Sequence, residues 1–526
     1  MCLEYYKLDP FHNYTAPGFS WQAALRMTGV ELELLSDPNI HKMIELGVRG
    51  GMCNITHRHA EADSEHSLLY IDANNLYGWS MSQSLPTGNF TLHSGDDFPN
   101  FDILAIADDA PRGFILEVDC EYPLDLHIDH NEFPLAPEKM TVTVDMISNQ
   151  QLSILETIER ERLIDNNKNF IGPIKPIPPS SPKLVPNLMN KNNYITHYRN
   201  LKFYVQMGME ITKIHNILIF DQSPWLKPYI DFNTTKRAQA TSKFAKNLFK
   251  LLNNSVFGKT LQNVRKEKKL DIVDSEKKAK KLIAQPSYKN STKFREDLLA
   301  IERRKTTIHF NKPIYVGFSI LDLSKVLMFD FHYKYIKEEY PGKKSQLCFT
   351  DTDSFLYRIQ TNNIYADMLK NSDRFDFSDY PDTHSCFSNL SPNAIKDLKL
   401  KNKKVIGKFK DELDGTRMLE FVGLRPKMYS FRAEEKIPKF RDSDEVKKLK
   451  GLQNAVVNRE IHFKHYKECL FNQNCTVSTQ RRFHVKKHQV QSVTQNKISL
   501  SAYDDKRFLL RDNISSLAFG HFQIDK

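Results

Sequence analysis

Residues 349–354 read Phe-Thr-Asp-Thr-Asp-Ser, two aspartates one residue apart directly after the apolar run Leu347-Cys348-Phe349. Carboxylates at the end of a buried strand are costly unless something positive, usually a metal, neutralises them. Ser354-Phe355-Leu356-Tyr357 resumes a strand-like pattern, so Asp351-Thr352-Asp353 is predicted to cap a β-hairpin. Side chains at i and i+2 of a strand share a face, although a tight turn can splay them. Taken alone, the same residues also make an ordinary Asp-rich turn. Other segments have to decide between the two.

At 526 residues the chain is long enough for about three to four domain-sized units. Its 40% hydrophobic, 11% aromatic and 26% charged residues are an ordinary globular composition. A net charge of +11 favours an anionic partner, nucleic acid before membrane. Seven scattered cysteines include no CxxC pair, which argues for a reducing compartment and against a zinc or iron–sulfur module. No apolar stretch reaches the roughly 18–20 residues of a membrane span, and no signal-peptide core opens the chain. A soluble, intracellular protein with no membrane partner is expected, nuclear if its host is eukaryotic.

Met1 to Glu65 reads as helical and loop-rich around the turn Val48-Arg49-Gly50-Gly51. A strand, Ser67 to Ile71, ends at Asp72; Gly113–Val118 reads as another, and Ile147 to Ile164 as a helix. Prolines at 173, 176, 178, 179, 182 and 186 make Ile171 to Pro186 an extended connector. Lys236 to Gln262 has a strong helical period, Arg265 to Leu282 reads as a solvated helix or loop, and Val316 to Tyr340 as strand then helix. The last hundred residues, rich in Lys, Arg and His, including Arg481, Arg482, Lys486 and Lys487, look like a separate basic module.

Three segments join the aspartate hairpin. Tyr70 to Gly78 is a buried strand delivering Asp72, then a turn carrying Tyr77. In the helix Lys243–Gly258, Lys243, Lys246 or Asn247, Lys250 and Asn254 recur at spacings of three and four, so they line one face. Phe244, Leu248, Leu251 and Leu252 are assigned to the opposite, apolar side. The helix ends Asn254-Ser255-Val256-Phe257-Gly258, small polar groups, an aromatic and a glycine suited to a planar base and a triphosphate. Finally, Lys427 and Tyr429, at i and i+2 of a predicted strand, face one way and fit a backbone phosphate. Carboxylates converging from separate strands are what a pair of Mg²⁺ ions needs, with oxygen ligands and room for substrate phosphates.

In this order the segments resemble the motifs of family B DNA polymerases, most closely the protein-primed branch found in small phages, adenoviruses, linear plasmids and Polinton/Maverick transposons. The family's Asp-x-x-x-Leu-Tyr falls on Asp72, Leu76 and Tyr77, and its Lys-x-x-x-Asn-Ser-x-Tyr-Gly on Lys250, Asn254, Ser255, Phe257 and Gly258. Tyr-x-Asp-Thr-Asp-Ser falls on Phe349 and Asp351 to Ser354, the KxY motif on Lys427 and Tyr429, and a YxGG motif on Val48 to Gly51 with Val for Tyr. The resemblance implies an α+β right-hand fold: a palm of antiparallel sheet plus helices, helical fingers and a small thumb. The expected division is 1–66 N-terminal segment, 67–100 palm, 101–200 protein-primed-type insertion, 201–262 fingers, 263–345 second insertion and palm elements, 346–440 palm, and 441–526 basic thumb.

It also implies roles. Asp72 and Asp353 would be the main ligands of two Mg²⁺ ions, with Asp351 in support and Mn²⁺ able to substitute. Tyr77, next to Leu76, would stack beneath the incoming sugar and exclude a ribose 2′-hydroxyl. Lys250, with Arg237 and Lys243, would bind the triphosphate, while Asn254, Phe257 and Gly258 shape the base-pair pocket. Gly50, Gly51, Thr352, Lys427 and Tyr429 would contact DNA. The expected partners are template–primer DNA, dNTPs and a terminal protein as alternative primer.

Phe stands for the family's Tyr at 257 and 349, keeping each ring and losing its hydroxyl. Only 47 residues precede Val48 and hold no Asp-x-Glu pair, so a core without the 3′–5′ exonuclease domain is expected. Two other readings compete: a metal-dependent nuclease, which needs neither the lysine-faced helix nor Tyr77, and a transposon-derived relic that only binds DNA.

Overall fold

The computed structural model describes residues 1–165, 178–179, 181–486 and 489–524. Helices α1 (Cys2–Tyr6), α2 (Ala16–Thr28) and α3 (Pro38–Gly47) precede strands β1 (Cys53–Ile55), β2 (His59–Glu61) and β3 (His66–Ala73), and helix α4 (Leu76–Met81) follows. Next come β4 (Leu85–Ser94), β5 (Arg112–Glu121), α5 (His127–His130), β6 (Glu138–Met140), α6 (Asn149–Asp165), β7 (Lys183–Val185), β8 (Lys191–His197), α7 (Tyr198–Gln206) and β9 (Glu210–Ser223). Two helices, α8 (Lys227–Gln239) and α9 (Lys243–Thr260), lead into β10 (Lys269–Val273), α10 (Glu276–Ile283), β11 (Tyr288–Arg295) and β12 (Leu298–Arg303). After the long helix α11 (Ile314–Phe331) the chain forms β13 (Ser345–Asp351), β14 (Ser354–Gln360), β15 (Phe409–Asp411), β16 (Met418–Arg425), β17 (Met428–Ile437) and β18 (Ser443–Leu449). A hairpin, β19 (Thr476–Lys486) and β20 (Gln489–Leu500), stands near the end.

The central sheet has nine antiparallel strands among the described residues, in the order β1-β13-β14-β3-β16-β17-β18, with β15 paired to β3 and β2 to β16. Both faces of its middle are buried, which explains the unbroken apolar runs. Leu69 and Ile71 of β3 enter a core with Phe329 and Phe331 of α11, while Leu68 and Tyr70 enter another with Phe349, Phe421 and Phe431. A second antiparallel sheet, β4-β9-β5-β8, takes β4 and β9 from either side of the 101–200 segment and β5 and β8 from within it.

Several sequence expectations change. The Lys236–Gln262 period is two helices rather than one, because Ser242 caps α9 by accepting the Ala245 N–H at 3.1 Å. Val316 to Tyr340 contains no strand: α11 runs through it and continues as a π-helical turn, His332–Ile336. Buried Tyr315, Val316, Phe318, Ile320, Leu321 and Leu323 fit a period of two as well as 3.6, since the helix is covered on all sides. Arg265–Leu282 is neither helix nor loop throughout; β10 joins β12 and β11 in a small sheet under α10. Half of the proline connector falls on residues outside those described, although β7 lies within it and pairs with β6.

Nor is the basic C-terminal region separate. β18 belongs to the central sheet, and residues 501–524 return to it after the hairpin. Two fully buried arginines fasten this return. Arg58 donates to the carbonyls of Leu424 (2.8 Å), Asn513 (3.3 Å) and Ala502, and Arg507 donates to the Asn131 carbonyl (2.8 Å) and side chain (3.0 Å) and to Ser516. Lys487 lies outside the described residues.

Candidate active site

The apolar end of β13 carries Asp351 to the rim of the central sheet, where the chain reverses within two residues. Thr352 is left-handed (φ 69°), and the Asp353 N–H donates to the Asp351 carbonyl at 2.8 Å. The Thr352 N–H is held by the Met52 carbonyl at 2.7 Å. Gly51 lies so close that a Cβ there would meet Thr352 Cγ2 at 2.3 Å, whereas Gly50 faces open space. On the next strand Ser354 is opposite Asp72, and the Ala73 N–H donates to the Asp353 carbonyl at 2.7 Å. The register therefore sets Asp72 beside Asp353.

A fourth carboxylate, Glu412, follows β15, and its backbone N–H is tied to the Tyr70 carbonyl at 2.8 Å. It is not visible in the sequence, because Asp411-Glu412 at the end of a three-residue strand carries no periodic signal. Its place becomes visible only through the pairing of β15 with β3.

Burial, then Asp353 and then Glu412, push Asp72 well above the ordinary carboxylate range; Lys439 and Lys250 oppose this. Asp353 is raised by burial, Asp351 and Glu412, against its own backbone hydrogen bond and Lys427. The chain's own cations are spent elsewhere. Lys439 pairs with Glu412 at 2.7 Å, and Lys427 pairs with Asp351 Oδ1, which also accepts the Cys53 thiol at 2.9 Å. Asp72 and Asp353, whose charged forms are disfavoured by burial and by acidic neighbours, offer hard oxygen donors that fit a divalent cation such as Mg²⁺.

Above the carboxylates, Tyr77 at the start of α4 stacks on Phe257 of α9, ring centres 4.5 Å apart and planes 16° from parallel. Asn75, left-handed at φ 45°, caps α4, and Leu76 is buried beneath. Burial and Asp353 push the Tyr77 hydroxyl up to about 12. Lys243, Lys250, Asn254 and Gly258 are exposed, Lys246 and Arg237 half-buried, and a Cβ on Gly258 would touch nothing within 4 Å. The apolar side of α9 is Phe249, Leu252 and Val256. Phe244 and Leu251, assigned to that side from the sequence, are 72% and 48% exposed. At about 100° per residue they fall on the flank of the lysine row, not opposite it.

Lys427 and Tyr429 do not share a strand face. Lys427 sits left-handed (φ 63°) in the turn before β17, pointing at Asp351, and only Tyr429 lies on the strand. Tyr429 is buried, stacked on Phe349 at 4.6 Å with its hydroxyl 3.1 Å from that of Tyr70. Arg49 of the glycine turn is also internal, donating to the Ile195 carbonyl at 2.6 Å and lying over the Tyr194 ring.

This antiparallel sheet, with helices beside its carboxylate rim, makes an α+β fold shared with solved DNA polymerases. Solved structures of Phi29 DNA polymerase are similar to it. An orthorhombic crystal form matches with a TM-score of 0.54 at 14% sequence identity, and a ternary complex with primer–template DNA and incoming nucleotide substrates with 0.53 at 15%. A complex with single-stranded DNA gives 0.53 at 14%. Each covers 93% of this chain and 69% of the other. No protein-family model and no curated protein matches the sequence. Among the described residues no helix is long and apolar enough to cross a membrane.

Proposed function

We propose that this protein is a DNA-directed DNA polymerase of the protein-primed family B branch, extending a primer from dNTPs on a DNA template. The convergence of Asp72 and Asp353, whose charged forms burial and acidic neighbours disfavour, beneath the Tyr77–Phe257 stack carries this reading. The central sheet is read as palm, α8 and α9 as fingers, and the β19–β20 hairpin as thumb. A nuclease would have no use for an aromatic stack beside a row of lysines.

In the reaction, the 3′-hydroxyl oxygen of a primer, or a hydroxyl of a terminal protein, forms a bond to the α-phosphorus of a dNTP. The bond from that phosphorus to the bridging oxygen breaks, pyrophosphate leaves, and the hydroxyl proton passes to solvent. Asp72 and Asp353, with Glu412 and Asp351 beside them, would hold Mg²⁺, or Mn²⁺ in its place. Bound there, the metal supplies activation of the attacking oxygen and charge stabilisation on the leaving one. Lys250, Lys243 and Arg237 position the triphosphate. The Tyr77 ring lies under the sugar and leaves no room for a 2′-hydroxyl, while Phe257 holds that ring flat. Asn254 and Gly258 border the base pair. Lys427 keeps Asp351 Oδ1 engaged, and Gly50, Gly51 and Thr352 form the edge along which the template strand runs. Tyr429 acts from beneath by supporting Phe349 rather than by touching the primer.

The test is extension of a labelled primer–template by purified protein with dNTPs and Mg²⁺. Extension dependent on all three is expected, and degradation of the primer without nucleotide addition would replace this reading with the nuclease. Replacing Tyr77 with Val is expected to weaken discrimination against ribonucleotides by about tenfold or more. Unchanged discrimination would remove the gate from Tyr77.

A further inference from the structure

Strand β1 is only three residues long, yet bonds on both sides of it fix its register against β13. Before it, the Met52 carbonyl accepts the Thr352 N–H at 2.7 Å; after it, the Thr56 N–H donates to the Cys348 carbonyl at 2.9 Å. From the segment that returns after the hairpin, the half-buried Lys506 ammonium donates to the Cys53 carbonyl at 2.8 Å. Cys53 is thereby held directly opposite Asp351. Opposed residues of an antiparallel pair carry their side chains on one face, about 4.5–5.5 Å apart at Cβ.

This register decides what the Asp351 carboxylate can do. Its Oδ1 accepts both the Cys53 thiol, at 2.9 Å, and the Lys427 ammonium. Among the described residues no hydrogen bond ends on Oδ2. A thiol has one hydrogen, and Asp351 takes it. The Thr352 hydroxyl, 3.5 Å from the sulfur, is therefore the donor in that second contact. A short chain of bonds runs from Thr352 through the sulfur to Oδ1, so the neighbouring strand closes the aspartate turn on itself. Without the thiol, Lys427 alone would hold the Asp351 side chain. An ammonium on a flexible stem is a point charge and sets no orientation, which leaves the carboxylate free to present either oxygen.

We propose that Cys53 is a positioning residue for Asp351: its thiol, together with Lys427, engages Oδ1 and so reserves Oδ2 for a divalent cation. Cys53 acts through the carboxylate and touches neither metal nor nucleotide. That role rests on reading Asp351 as part of the Mg²⁺ site proposed above. Three variants of the full chain test it. Cys53→Val keeps the bulk and removes the donor, Cys53→Ala removes both, and Cys53→Ser restores a donor. Mg²⁺ binding is measured by calorimetry, and the Mg²⁺ concentration for half-maximal primer extension is measured beside it. Unfolding in EDTA reports on the fold.

Cys53→Val and Cys53→Ala are expected to weaken Mg²⁺ binding about fivefold and to raise the half-maximal Mg²⁺ concentration by a similar factor. Cys53→Ser should recover most of both losses. If Cys53→Val does not fold, the Cys53→Ala and Cys53→Ser pair carries the same contrast. Equal losses in Cys53→Val and Cys53→Ser would mean packing rather than a hydrogen bond and would overturn the role. Mg²⁺ binding that Asp353→Asn abolishes and neither Cys53→Val nor Cys53→Ala weakens would keep the metal site and remove Cys53 from it. Binding weakened by Cys53→Val and restored by Cys53→Ser, in a wild type that extends no primer, would keep the positioning role and remove the polymerase reading. No Mg²⁺ binding by the wild type would overturn both.

Discussion

Glu420 on β16 and Asp72 on β3 belong to the same sheet, and both carboxylates are largely buried, yet the chain treats them in opposite ways. Glu420 receives His59 at 2.9 Å, Arg432 at 2.7 Å and Lys467 at 2.6 Å, and these bonds overcome its burial and hold its carboxyl down at about 2. Asp72 receives another carboxylate and is pushed the other way. The His59, Glu61 and Glu420 ligand atoms lie within 4.8 Å of one another, close enough for a metal, but the Arg432 and Lys467 cations and the His59 ring already occupy that role. Geometry alone would name Glu420 as the metal site. Charge balance names Asp72 and Asp353, because a buried carboxylate left without its counter-charge is where an external cation gains most.

Four measurements can break or sharpen this contrast. The largest effect is expected from Asp353→Asn, which should cut primer extension by about a thousandfold or more while primer–template binding persists; retained extension would erase the distinction. Mg²⁺ at about a hundredfold excess over its Kd should stabilise the wild type by about 2.7 kcal/mol and the Asp353→Asn variant far less. Equal stabilisation of both would move the ion away from the aspartates. Glu420→Gln should remove the charge that Arg432 and Lys467, both partly exposed, share and cost about 1–2 kcal/mol in denaturant unfolding. Unchanged unfolding would mean that the network merely decorates the sheet.

The smallest effect is in the pH dependence of the metal-free protein. A carboxyl raised on folding binds a proton more tightly in the native state. Its contribution falls as pH rises above the ordinary 3.8 of Asp72 toward the raised value. Asp72→Asn should therefore raise the Tm in EDTA at pH 8, by roughly 2–4 °C. Glu420 has the opposite sign: its stabilisation is present above the ordinary 4.5 and disappears as pH falls through about 2. A Tm for Asp72→Asn equal to or below wild type at pH 8 would show that the aspartate is balanced after all.

The hairpin from Leu347 to Tyr357 and the strand ending near Asp72 were legible in sequence, since apolar runs bounded by acidic turns set local register. The start of α9 at Lys243 was legible too, from the lysine spacing, though its Ser242 cap was not. Long-range partners were not. Glu412 reaches the site only because β15 adds to β3, and Glu420 gathers His59, Arg432 and Lys467 from three separate elements. Lys427 was misplaced because its left-handed turn puts a residue where a strand was drawn, and α11 because complete burial erases the period that separates helix from strand.

The arginine fastenings at residues 58 and 507 have a mechanical consequence. The β19–β20 hairpin is rooted through β18 on one side and through the returning segment on the other, so both of its bases are bolted to the same sheet. A force carried down its strands would therefore pass into the sheet beside the buried Arg58 and Arg507 guanidinium groups.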